Sequence, residues 1–205
     1  MSENYNQKWQ VLYDTQSPKR PARILRPSEF ELLLEGTKDV KNQVRLKVAL
    51  ITGMRYVELQ KLHKHPEWYN RQENFMMIEE TKTERKSKRR YIWLPDVARE
   101  VIPLFFALKL KFPSHQAWEK NLRNWAKQVG LSPEYLNTRA TRKTWECWLS
   151  FAFPSLRDHI VLSQGHTSAT SLEHYMNIAF TEEDLIKMRY WVQGWDRGIQ
   201  KIVGR

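Results

Sequence analysis

The sequence predicts a mainly α fold carrying one small antiparallel β-hairpin, an α+β chain. Two observations predict it. Apolar residues recur at three- and four-residue steps along most of the chain, and only two short runs show strand-like composition, joined by a long charged connection.

Residues 1 to about 26 are polar and basic, with Pro18, Lys19, Arg20, Pro21, Arg23 and Arg26, and read as a tail or linker. Residues 1–20 are assigned as a flexible basic segment and the domain is placed from residue 21. At Pro27-Ser28-Glu29-Phe30-Glu31 a helix starts, with Ser28 as its cap and Glu31 closing a capping box. A second helix covers Asn42 to Ile51, with Val44, Val48 and Ile51 on one face. Gly53 interrupts it, and a short helix with Val57, Leu59 and Leu62 follows.

The period then changes. Asn74 to Glu80 and Arg90 to Leu94 read as two strands, separated by the charged run "TKTERKSKRR". Pro95 and Asp96 end the second strand and start a helix running to about Lys111. Trp118, Leu122, Trp125 and Val129 mark an amphipathic helix closed by Gly130. A helix from about Thr138 buries Trp145, Trp148 and Leu149, and a shorter one covers Leu156 to Leu162. Ser168 to Tyr175 is assigned to one more. Leu185, Met188, Val192, Trp195 and Ile199 form the stripe of a C-terminal amphipathic helix, residues 181–205 being its segment. That helix either folds back on its own domain or docks on a neighbouring protomer.

The totals narrow the function class. Of 205 residues, 34 are Lys or Arg and 23 are Asp or Glu, leaving +11 and a pI near 9.8. That is the electrostatic footprint of a nucleic-acid binder, against the plainer reading of an ordinary basic surface. No window approaches the roughly 18 uncharged apolar residues of a membrane span, and the N-terminus lacks a basic-then-apolar leader pattern. Cys147 is the one cysteine, which rules out an internal disulfide and fits a cytoplasmic protein.

Four segments set a polar, mostly cationic group in an apolar frame. They are "TGMRYVEL" with Arg55 and Glu58, "EETKTERKSKRRYIWLP" with Lys82, "NTRATRKTW" with Arg139 and Arg142, and "SQGHTSATSLEHYMN" with His166 and Tyr175. Each alone has a plain reading: an ion-paired helix arginine, a solvated hairpin loop, surface charges, a capped turn and a core tyrosine. His63-Lys64-His65 has ligand-like spacing, but no carboxylate or cysteine pattern completes a metal site. Trp118, Trp125, Trp145 and Trp148 fall at core positions and read as packing.

The order of the segments carries more than any one of them. "TGMRYVEL", "TKT", "TRATR", "QGH" and "LEHY", entered through "ILRPSEFELLLEG", resemble the catalytic domain of the tyrosine recombinases, the phage-integrase family. The resemblance covers roughly residues 21–180. One position departs: Arg139 stands where the family usually has His, a variation found among archaeal integrases of viral or plasmid origin. In related recombinases a separate N-terminal helical domain precedes the catalytic one. Here about 20 residues precede the resemblance, so either a longer chain supplies that domain or a minimal arm serves.

What the resemblance implies is site-specific DNA recombination. Tyr175 attacks a phosphodiester to give a 3′-phosphotyrosyl link, and strands are then rejoined. Arg55 and Arg142 clamp the phosphate, with Arg139 as a third donor, because guanidinium forks bind phosphate oxygens bidentately. Lys82 is the general acid for the departing 5′ oxygen, His166 contacts the phosphate, and Glu58 orients Arg55. No metal and no cofactor is expected. The partner is double-stranded DNA, contacted by Arg85, Lys86, Lys88, Arg89 and Arg90, and by Arg20, Arg23 and Arg26. The expected assembly is a tetramer on DNA, and a monomer or weak oligomer without it. Two rival readings remain open: a type IB topoisomerase using the same tyrosyl link, and a DNA-binding relative that has lost catalysis.

Overall fold

The computed structural model describes residues 12–13, 21–80, 88–165 and 178–199, with the side chains of Glu80 and Lys88 outside the description. In chain order the elements are α1 (Pro27–Gly36), α2 (Val40–Thr52), α3 (Tyr56–Leu62), β1 (Tyr69–Asn70), β2 (Phe75–Glu80) and β3 (Lys88–Trp93). They continue with α4 (Ala98–Ala107), α5 (His115–Gln128), α6 (Ala140–Ala152), α7 (Arg157–Gln164) and α8 (Glu182–Val192). The fold is mainly helical with a three-stranded antiparallel sheet in the order β1-β2-β3, so the anticipated hairpin gains a short edge strand. Met76 pairs with Ile92 and Ile78 with Arg90. None of the described helices is long and apolar enough to cross a membrane.

Helix α6 is the centre of the domain. Every residue from Ala140 to Ser150 is buried, and Trp145, Cys147, Trp148 and Leu149 are fully so. It packs against α2, α7 and α8, while α1 lies against α5 and α8. A helix buried on all sides must satisfy its polar groups internally. The extended segment before α1 helps: Leu25 N donates to Thr144 Oγ1 at 2.9 Å, and Trp148 Nε1 donates to Leu25 O at 3.0 Å. Phe30 packs edge-on against both Trp148 and Trp191, which joins α1, α6 and α8 in one core.

Several local expectations change. Helix α1 starts two residues earlier than a Ser28 cap would place it. Arg26 is its cap residue, Pro27 opens the first turn, and the carboxylate that accepts from the cap backbone N–H (2.8 Å) is Glu29, not Glu31. Ser28 lies inside the helix, because Pro27 needs no amide partner and so takes the first helical place. Val57 faces solvent, while Tyr56 joins Leu59 and Leu62 in the core. The C-terminal stripe does not run on one straight helix. It breaks at Gln193, whose carbonyl accepts from Asp96 N (2.8 Å), and Trp195 and Ile199 are buried in the turn beyond. This helix lies on α1 and α6 of its own chain.

The segment before α1 is drawn into the domain. Ile24 N donates to Leu12 O at 2.8 Å, Tyr13 bridges to Arg23, and the Tyr13 and Tyr135 rings lie 4.7 Å apart. Arg23 and Arg26, expected as phosphate contacts, are buried instead. Arg23 Nη2 donates to Glu29 Oε1 at 2.6 Å and its Nη1 to Ser132 O; Arg26 pairs with Asp184. The stretch 168–175 and Arg20 lie outside the described residues.

Because α6 has no exposed face between Ala140 and Ser150, truncating its largest side chain leaves a void. Trp148→Ala should lower unfolding free energy by about 3–5 kcal/mol, read by urea denaturation. A loss below about 1 kcal/mol would mean that α6 is not the centre of the core.

Candidate functional site

The site forms around the end of α7. A helix C-terminus leaves carbonyls without intrahelical partners and carries the negative end of the helix dipole. Here three successive carbonyls each receive an arginine from a different part of the chain. Ser163 O accepts from Arg90 Nη1 (2.7 Å), Gln164 O from Arg142 Nη2, and Gly165 O from Arg55 Nη2 (2.7 Å). Arg55 precedes α3, Arg90 sits in β3 and Arg142 in α6.

Two glycines make room for this convergence. Gly53 ends α2 with φ +55°, and a Cβ there would stand 2.5 Å from Gln164 Oε1 and 2.7 Å from Trp145 Cδ1. Gly165 ends α7 with φ +67°, and its Cβ would stand 2.8 Å from Arg90 Cδ and 3.1 Å from Arg55 Nη2. Any side chain at either position would therefore be strained twice over, by the backbone and by the arginines or the core.

Two carboxylates hold the cluster. Both oxygens of Glu58 lie 2.6 Å from Arg90 Nη2. Its Oε1 is also 3.1 Å from Arg55 Nη1, and its Oε2 accepts from the Arg55 backbone N–H at 2.7 Å. Glu146, fully buried one turn along α6, takes Arg142 Nε at 3.2 Å and Lys143 Nζ at 3.0 Å. Arg142 Nη1 also donates to Gly53 O at 2.8 Å, tying the end of α2 to α6.

Burial by itself would raise the Glu58 carboxyl. The charge and hydrogen bonds of Arg90, then the backbone and charge of Arg55, outweigh it and hold the group below its ordinary range. Burial lowers the pKa of the Arg142 guanidinium; Glu146 opposes that shift, and the neighbouring Arg90 and Arg55 charges reinforce it. The side chains of Arg90 and Arg142 are 5% and 9% exposed, that of Arg55 35%. Arg55 is thus the guanidinium of this cluster that meets solvent. Beside it opens a cleft of about 430 Å³ between α3 and β2, lined also by Glu58, Lys61, Trp68 and Glu79. Its rim carries His65, stacked on Trp68 with ring centroids 4.4 Å apart.

Of the residues expected at the site, the structure brings Arg55, Glu58 and Arg142 together. Arg139 caps the N-terminus of the helix that carries Arg142. Its backbone N–H donates to Asn137 Oδ1 at 2.9 Å, while its Nη2 is buried without a hydrogen-bond partner among the described residues. Lys82, Arg85, Lys86, His166 and Tyr175 lie outside the described residues, and of Lys88 only the backbone, first in β3, is described. Arg89 is exposed, 3.6 Å from Glu79. Among the described residues no group of three or more His, Cys, Asp or Glu is poised to hold a metal ion.

Arg90 requires a correction. Expected as a surface phosphate contact, it is an interior residue closed between Glu58 and Ser163 O. The signal was present: strand alternation puts Arg90 on the face of Ile92, which is fully buried. Glu146 was not anticipated at all, although its i,i+4 spacing from Arg142 is the ordinary signature of a helical ion pair.

No protein-family model and no curated protein matches the sequence. Solved structures do. The crystal structure of XerA recombinase is similar at a TM-score of 0.61 and 18% identity, covering 82% of this chain and 64% of that one. XerH site-specific recombinase bound to difH substrate, a pre-cleavage complex, gives 0.54 and 17%, covering 76% and 50%. The XerH post-cleavage complex with palindromic difH substrate gives 0.53 and 15%, covering 91% and 54%. The chain therefore spans between half and two thirds of the length of these solved chains. At such identities the likeness is one of fold, and the fold is that of tyrosine recombinase catalytic domains.

A depressed carboxyl contributes stability that is complete above its unfolded-state pKa, ordinarily 4.5 for Glu58, and is lost as pH falls through the lower folded value. Glu58→Gln should therefore cost about 3–5 kcal/mol near neutral pH, because Arg90 keeps its burial and loses its counter-charge. The variant should also lose part of the wild-type decline in acid. Urea unfolding measured across the acid range checks both; parallel curves for the two proteins would refute the pairing energetics.

Proposed function

We propose that this chain is the catalytic domain of a site-specific DNA recombinase or integrase of the tyrosine recombinase family. The observation that carries the reading is the convergence of Arg142 and Arg55 on the carbonyls of Gln164 and Gly165, with Glu58 paired to Arg55, one step before His166, within a recombinase fold. The XerA and XerH likenesses support it by fold, and the net charge of +11 supports a DNA partner.

In this reading a DNA phosphate sits against the exposed edge of Arg55. Phosphoryl transfer gains most from fixed positive charge around the non-bridging oxygens. Arg55 supplies that charge at the solvent edge, Arg142 adds fixed charge from its buried place behind it, and Arg139 is a third donor. Tyr175 attacks phosphorus, forming a 3′-phosphotyrosyl bond as the bond to the 5′ oxygen breaks, and Lys82 gives that oxygen its proton. A phenol of pKa about 10 is also a competent leaving group for the reverse step. His166 contacts the phosphate and helps to take the tyrosine proton, since the arginine in the usual His place, Arg139, has donors and no acceptor. Fixed guanidinium charge takes the part that a metal ion plays elsewhere, so the reaction runs without one.

Arg85, Lys86, Lys88 and Arg89 follow the DNA backbone, and Arg90 leaves that group as an interior residue. The protein acts in the cytoplasm on double-stranded DNA, as a tetramer when two duplexes are joined.

Covalent capture tests the reading. Nicked duplexes with randomised cores are incubated with the chain, and denaturant-resistant adducts are recovered and sequenced. Wild type should yield adducts on a selected site in the presence of EDTA, and Tyr175→Phe none. Arg55→Ala should lose cleavage by about 10²-fold or more while still binding the selected site. Binding without any adduct would sink the catalytic reading in favour of a DNA-binding relative. Supercoil relaxation without strand exchange would favour a topoisomerase. Lys82→Ala should be slow on the ordinary substrate and recover when the 5′-bridging oxygen is replaced by sulfur, a leaving group that needs no proton. No recovery would remove Lys82 as the acid.

A further inference from the structure

The structure holds a second arginine anchor, on the stretch of chain that follows the segment containing Tyr175. Arg26, the cap residue of α1, reaches across to the chain just before α8. Its Nη2 donates to Ala179 O at 3.0 Å, its Nη1 pairs with Asp184 Oδ2, and its guanidinium carbon lies 5.8 Å from the centre of the Phe180 ring. Both ionic partners are buried, Arg26 at 8% and Asp184 at 4% exposure. Asp184 is itself committed to the turn that starts α8. It accepts from Thr181 N at 3.0 Å, and its own N–H donates to Thr181 Oγ1 at 3.1 Å. Phe180 also packs edge to face on Phe151, with ring centroids 4.8 Å apart.

Arg26 therefore grips residues 179–184 by charge, by hydrogen bond and by ring contact at once. Burying an ion pair is a poor way to gain stability, because desolvation offsets most of the attraction; what it secures well is one geometry. The gripped carbonyl lies four residues after Tyr175, so an extended chain from Ala179 carries that residue no further than about 14 Å. At the other end, Gly165 O is held by Arg55 Nη2, one residue before His166. Arginines thus hold a described carbonyl on each side of residues 166–178 in the chain: Gly165 before them and Ala179 after them.

We propose that Arg26, through Asp184 and the Ala179 carbonyl, is a positioning residue for Tyr175: it sets where the nucleophile is presented and takes no part in holding the phosphate. This rests on the proposed function above. Arg26 faces α8 and the 179–184 turn, whereas Arg55 and Arg142 bind the α7 end, so the two tasks belong to separate groups of contacts.

The test separates presentation of the nucleophile from the phosphate site. Adduct formation on the selected nicked duplex is measured at saturating protein for wild type, Arg26→Gln and Asp184→Asn, alongside the dissociation constant. Hydrogen peroxide is then supplied as a small external nucleophile. Its oxygen bonds to phosphorus as the bond to the 5′ oxygen breaks; it sheds its proton to water, and the 5′ oxygen takes one up. Both variants should form adduct about 10²-fold more slowly, the scale on which a small misplacement of a reacting group acts. Their dissociation constants should stay at the wild-type value, and their peroxide cleavage should match that of Tyr175→Phe. Arg26→Lys keeps the charge but has one headgroup for two partners, and should fall between wild type and Arg26→Gln, which keeps the test decisive if the glutamine variant folds poorly. Wild-type adduct rates in the variants, or peroxide cleavage that falls in step with tyrosyl cleavage, would overturn the positioning role. Absence of adduct from the wild-type chain would instead overturn the proposed function.

Discussion

The end of α7 is where the domain is tied together. Three consecutive carbonyls at the negative end of that helix draw guanidinium groups from the loop before α3, from β3 and from the core helix α6. Without those carbonyls, three like charges would have little reason to share so small a volume. With them, and with Glu58 and Glu146 between and behind, the repulsion is offset and each guanidinium has a direction. The sheet, the α2–α3 corner and α6 meet at this point, and the chain runs on from it into the segment that carries His166 and Tyr175. The glycines at 53 and 165 are part of the same constraint, since a side chain at either would occupy the space that the arginines and Gln164 fill.

Charge burial follows one rule among the described residues. Arg23 meets Glu29, Arg26 meets Asp184, Arg90 meets Glu58, and Arg142 and Lys143 share Glu146. Each buried cation has a carboxylate, and the carbonyls of Ser132, Ser163, Gln164 and Ala179 accept from the guanidinium nitrogens as well. A net charge of +11 thus overstates neither the surface nor the interior by itself. Several arginines that look like DNA contacts in the sequence hold the domain together, whereas Arg55 keeps about a third of its side chain in solvent and Arg89 is exposed.

The sequence-level reading of the helices succeeded where apolar periodicity and burial agree. Trp118, Leu122 and Trp125 define α5, and Trp145, Trp148 and Leu149 define α6, because a stripe at three- and four-residue steps has few ways to be buried other than on a helix. It failed at boundaries set by contacts distant in sequence. The C-terminal stripe looked continuous, yet it breaks at Gln193, where the backbone bonds to Asp96, nearly a hundred positions away. The β1 edge strand is two residues long, too short for any periodic signal.

The same division holds at the site. Sequence alone determined which residue types stand in which order: an arginine after a Thr-Gly break, two arginines three apart, a Gly-His pair and a following tyrosine. Order along the chain survives folding unchanged, and so the fold class could be anticipated from it. Only the tertiary structure decided which arginines keep contact with solvent. Arg23, Arg26 and Arg90 are chemically the same as Arg55; strand alternation hints at the burial of Arg90, but nothing in local spacing marks Arg23 or Arg26 as guanidiniums that will be desolvated. That difference arises when elements far apart in sequence close over three of them and leave the fourth with a third of its side chain in solvent. The reason is physical: a charge is buried only where the whole fold brings it a counter-charge, and that partner is chosen by packing, not by neighbours in the chain.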